Sequence, residues 1–124
     1  MDQPREDAAK ASGPRPWSIG GRVVLPHVES LTTLAERTRG LLGRDALPAG
    51  YAVWLCPCSA IHSIGMRFTI DLIFLDETRR VVRMVRDVEP WRMVWGGSGA
   101  VSVLELQSGW LGPAEVAVGD QFSV

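Results

Sequence analysis

A chain of 124 residues with a formal net charge of −1 and 46% hydrophobic residues is one domain's worth of protein, with enough apolar material for its own core. Its 13 basic residues are scattered rather than striped, which argues against nucleic acid or another polyanion as partner. No apolar run approaches the ~20 residues of a membrane span, and two cysteines one residue apart are not a secreted disulfide framework.

Residues 1–16, MDQPREDAAKASGPRP, have no periodicity and are rich in Ala, Pro and charge, so a disordered lead-in is expected there. It lacks the apolar core of a signal peptide, and a cytoplasmic location is the default expectation. A single β-rich domain is expected over residues 17–124. Arg22 to Leu25 reads as a strand stopped by Pro26. Ser30 can cap a helix with Leu31, Leu34, Ala35, Thr38, Leu41 and Leu42 on its apolar side, ending near Gly40 or Gly43. Tyr51 to Leu55 follows as a compact strand. Thr69 to Leu75 is another, whose continuous apolar run suits a strand covered on both faces. Asp76 to Arg79 turns the chain into Arg80 to Val88 as a hairpin, and Ala100 to Leu106 and Glu115 to Val118 read as further strands before a Gly119-Asp120 turn. The expected class is α+β, predominantly β: a small rolled sheet or partly open barrel of six to seven short strands with one short helix.

Four elements occur in order: Gly40-Leu41-Leu42, the stretch from Met66 to Asp71, Leu104-Glu105-Leu106, and the closing Gly119-Asp120. Together they resemble the prokaryotic family known as domain of unknown function 192, over roughly Arg22 to Val124. Many members carry an aromatic where this chain has Gly65, and many carry an export or lipoprotein signal not seen here. The resemblance implies a compact β-rich fold and brings no established activity.

The segment Cys56 to Asp76 concentrates the chemistry. Cys56, Cys58 and His62, with His27, supply four groups of the kind zinc takes. In an extended strand, however, His62 lies ~13 Å beyond Cys58, and the spacing matches no common zinc pattern. Half-buried thiols and a backbone-bonded histidine are the favoured alternative, so no metal and no cofactor are expected; a Cys58–His62 nucleophile and base lacks an orienting third group.

The acids are better candidates. Asp71 and Glu105 each fall on strand faces that are otherwise apolar, where a carboxyl has to be satisfied or neutral. Neighbouring strands would bring them into one cleft, dividing acid and base roles between them. The alternative is structural, with Asp71 held by Arg67 or by backbone N–H groups. Between Glu89 and Gly99, Trp91 and Trp95 beside Met93 are either an apolar contact surface or a cover over one end of the sheet. The reading that results is a small binding or accessory domain whose ligand site draws on Met66, Arg67, Asp71, Glu105, Trp91 and Trp95, with an unidentified small molecule or protein as partner. A small enzyme using Asp71 and Glu105, and a structural or protein-interaction module, are the rivals.

Overall fold

The computed structural model describes residues 14–111 and 115–124. The elements in chain order are β1 (Arg15–Ile19), β2 (Arg22–Leu31), α1 (Leu34–Arg39), β3 (Tyr51–Leu55), β4 (Ala60–His62), β5 (Ile70–Leu75), β6 (Val81–Val88), β7 (Met93–Trp95) and β8 (Ser102–Gln107). Among the described residues the fold is predominantly β with one short helix, as the apolar patterning predicts. Six strands form one sheet in the order β1-β2-β3-β8-β5-β6, not closed into a barrel, while β4 and β7 make a separate ribbon. Of the lead-in expected over 1–16, residues 1–13 lie outside the described residues, and Arg15 and Pro16 already belong to β1.

Gly20 and Gly21 join β1 to β2 with φ of 56° and 80°, the left-handed pair that a two-residue hairpin turn demands and that glycine adopts without a Cβ penalty. Contrary to expectation, β2 continues through Pro26. The β1–β2 register shifts between Arg15 and Trp17, where three steps of β2 face two of β1, and the parallel ladder to β3 starts only at His27. Pro26 therefore sits where neither neighbour needs an N–H. The longer strand also corrects the helix start: Ser30 lies inside β2, opposite Trp54. Thr33 is the cap, its Oγ1 accepting from Glu36 N at 3.1 Å while Glu36 Oε1 accepts from Thr33 N at 3.1 Å.

The predicted strand over Glu115 to Val118 is absent. Asp120 Oδ2 accepts from Ala117 N at 2.9 Å and Asp120 N donates to Ala117 O at 3.1 Å, so this stretch is tied into a turn. Beyond the turn, Ser123 exchanges two backbone bonds with Ser18 of β1, and Asp120 and Phe122 bond to Val81 and Arg79 at the β6 side. The C-terminal residues thus touch both margins of the open sheet, and Phe122 packs against Trp17 with ring centroids 5.6 Å apart.

Core lies on both faces. One side gathers Trp17, Leu25, Ile73, Leu75, Leu104, Leu106 and Phe122; the other gathers Leu41, Leu55, Met66, Leu72, Phe74 and Val103. Every residue of β5 is buried, as its continuous apolar run predicts. The ribbon docks closely on this second face: a Cβ on Gly96 would drive into the Phe74 ring, so only glycine fits there.

Candidate functional site

Glu105 is placed by β8, between Val53 of β3 and Leu72 of β5. Residues paired across an antiparallel ladder share a face, so its side chain joins Leu72 on the α1 side of the sheet. There it forms part of the floor of a cavity of about 190 Å³ whose apolar walls include Leu41, Leu55, Ile61 and Met66. Glu105 is only 4% exposed, and no hydrogen bond to it is found among the described residues. The loss of water around its carboxyl raises the pKa to about 7, against a smaller opposing pull from Arg44. At neutral pH both forms are populated, so the group can accept a cation or hydrogen bond, or donate a proton.

The remainder of the site is built around that acid. The turn after α1 brings Gly40 so near that a Cβ there would sit 4.0 Å from Glu105 Oε1. Arg37 and Arg39, in the last turn of α1 just before Gly40, line the cavity with His62 and Met93, which face each other across the β4–β7 ribbon. Arg37 Nη1 donates to Pro57 O at 2.8 Å, tying the helix to the loop that carries Cys58. Cys58 Sγ donates to Ala60 O at 3.1 Å; burial pushes this thiol up from its ordinary value, and the nearby Glu105 charge adds to the effect. A thiol so perturbed is a poor nucleophile at neutral pH.

Asp71 is handled differently. Its partner across the ladder is Leu106, one step from Glu105, so it points to the opposite face. Oδ1 accepts from Asp87 N at 2.9 Å, and Oδ2 accepts from Gly109 N at 3.0 Å and Leu111 N at 3.5 Å. These bonds pin the β6 bulge, where Asp87 has φ 56°, and the turn after β8. The two acids do not meet in one cleft, because adjacency of β5 and β8 is not enough when the register is odd.

Met66 does sit beside Glu105 in the cavity. Arg67 does not; it pairs with Asp45 at 2.8 Å on the surface, with both side chains largely in water. Trp91 and Trp95 are exposed with Met93 on the ribbon strand β7 and its approach, and only Met93 reaches the cavity. Cys58 and His62 share the cavity while Cys56 lines another hollow beside Trp54 and Arg79. Among the described residues no three of His, Cys, Asp and Glu gather to hold a metal ion.

Two residues that sequence reasoning passed over matter here. Arg37 is one, on a helix whose Gly40-Leu41-Leu42 ending was the available signal. Ser63 is the other: fully buried, its Oγ donates to Glu89 O at 2.6 Å and accepts from Arg92 N at 2.9 Å, fastening the approach to β7 against the end of β4.

Fold and cavity together define a predominantly β, α+β domain with a largely apolar pocket lined by one buried acid that has no hydrogen bond among the described residues. The chain belongs to the domain of unknown function 192 family (DUF192, an uncharacterized ACR), which matches residues 17–124. It is 32% identical over 107 residues to a UPF0127 protein of Thermococcus sibiricus, covering 82% of this chain and 68% of that one. A crystal structure of a protein of unknown function from Novosphingobium aromaticivorans shares the fold with a TM-score of 0.76 at 20% identity, over 94% of this chain and 96% of that one. A protein of Sinorhizobium meliloti described as a candidate transcription regulator superposes with a TM-score of 0.71 at 17% identity, over 77% and 79% of the two chains. At these identities the structural likenesses establish the fold alone.

Proposed function

We propose that this protein is a small-molecule-binding domain whose ligand enters the cavity between α1 and the β4–β7 ribbon and places a polar head against Glu105. The observation that carries the proposal is a buried carboxyl opening on a cavity with no hydrogen-bond partner among the described residues: such a group costs free energy in the unliganded protein that a ligand can relieve. At about 190 Å³ the cavity falls below the roughly 300–1,000 Å³ of drug-sized sites, so it suits a compact molecule or one end of a longer one. The geometry favours binding over a two-carboxylate enzyme, since Asp71 faces away and is fully bonded. Among the described residues no helix is long and apolar enough to cross a membrane. Both cysteines are free thiols, which fits a reducing compartment, and we extend the proposal to a cytoplasmic location.

The test is methyl NMR on protein labelled at the methionine methyls, screened against a library of small amphiphiles. Saturable shifts at Met66 that are weakened in Glu105→Gln are expected. A library that leaves Met66 unmoved in the folded wild-type protein overturns the proposal.

A further inference from the structure

We infer that the ligand of this cavity is a small zwitterion with a short apolar body, its ammonium seated on Glu105 and its anionic end held by Arg37 and Arg39. The inference rests on the binding proposal above and follows from which groups line the cavity and how deeply each is buried. The most buried polar group of the lining is a carboxyl that is 4% exposed and without a hydrogen bond among the described residues, and an ammonium is a compact group that supplies both the countercharge and the donors it lacks. The cavity walls include Leu41, Leu55, Ile61 and Met66, which accept methylenes, while Thr38, Cys58 and His62 add polar atoms to the lining. Two guanidiniums also line the cavity, both from the last turn of α1. Arg37 spends Nη1 on Pro57 O and Nε on Thr33 O, while the Arg39 side chain is exposed, with no hydrogen bond or ion pair among the described residues.

A plain hydrocarbon leaves the acid unsatisfied. A fatty anion inserted head first meets a like charge, and a simple amine satisfies Glu105 while leaving the arginines unused. A molecule carrying both ends matches both. Because burying an ammonium costs nearly what its pairing returns, the charges confer selectivity more than tightness.

The charged and titratable groups around Glu105 are Arg37 and Arg39 on α1, Arg44 beyond it, Cys58 on the loop before β4 and His62 on β4; β3 and β5 present Val53 and Leu72. An ammonium requires the carboxylate, so its affinity should fall by up to about tenfold per pH unit below about pH 7. A carboxylic acid pairing with the protonated acid would show the opposite slope.

The experiment titrates Met66 and Met93 methyl resonances with 6-aminohexanoate, hexylammonium, hexanoate and hexanol at pH 5.5 and 8.5, in wild type and in Glu105→Gln, Arg39→Gln and His62→Asn. Thermal melts establish that each variant is folded. The expected order at pH 8.5 is 6-aminohexanoate, then hexylammonium, then hexanol and hexanoate, with at least tenfold between first and last. Arg39→Gln should bring the first level with the second, Glu105→Gln should erase the preference for an ammonium, and His62→Asn should retain the pH slope. Tightest binding by hexanoate or hexanol, or a ranking unchanged in Glu105→Gln, overturns the zwitterion while leaving a binding pocket. Hexylammonium equal to 6-aminohexanoate in wild type removes the role of the arginines and overturns it too. If none of the four probes shifts Met66 while the wider library does, the zwitterion class is wrong. If the wider library also fails, the binding proposal falls with it.

Discussion

Asp71 and Glu105 stand one register step apart on adjacent strands, both enclosed by apolar neighbours, and the protein treats them in opposite ways. On one face Asp71 accepts three backbone N–H groups and thereby holds a bulge and a turn in place. On the other face Glu105 has no such partners among the described residues and lines a cavity. A carboxylate bonded by fixed amides is finished structure, whereas one left unbonded beside a cavity is a standing cost to the fold, and such costs tend to collect where function is. Burial alone does not distinguish the two; hydrogen-bond bookkeeping does.

Three substitutions break or sharpen this contrast, in descending order of effect. Asp71→Asn removes the charge that three donors converge on and turns an NH₂ toward one of them, so a loss of about 3–5 kcal/mol is expected in urea unfolding. A loss under about 1 kcal/mol would mean that the face regarded as finished is not.

Glu105→Gln is smaller and depends on pH. The folded-state value of about 7 lies above the ordinary 4.5, so the native protein binds the extra proton between these values. Wild-type stability is therefore greatest below about pH 4.5 with respect to this group and is lost as pH rises toward 7, by roughly 3 kcal/mol in all. The variant lacks that slope, so the stability difference between the two proteins should move in the variant's favour by roughly this amount between pH 4.5 and 8. Parallel pH profiles would show that Glu105 is compensated in the folded protein.

Smallest is Trp95→Ser. Its side chain is 64% exposed on the ribbon's outer surface, so stability should change by no more than about 0.5 kcal/mol. A larger loss would mean that the ribbon's outer surface belongs to the folded core.

The sequence makes some of this legible. Parity along β5 and β8 picks out both acids as inward-facing, and the uninterrupted apolar run of β5 announces a strand buried on two sides. Whether the two acids converge depends on a one-residue choice of register, which is set by the whole sheet and is written in neither strand. The β4–β7 ribbon is invisible for another reason: two strands of three residues carry too little alternation to register, and they are fixed by Ser63 and Gly96, whose partners lie about thirty and twenty residues away. The helix start is legible, since Thr33-Leu34-Ala35-Glu36 is a capping box, whereas Ser30 can serve as a cap only if the strand stops at Pro26.

One feature of the fold bears on the protein's behaviour in crowded solution. An open six-stranded sheet has two margins whose unpaired amides and carbonyls invite another chain to add itself as a further strand. Here Ser123 and its neighbours occupy part of both: Ser18 is taken on β1, and Arg79 and Val81 are taken at the start of β6. One short segment thereby blunts two aggregation-prone templates at once, and a single clip that released it would bare them together.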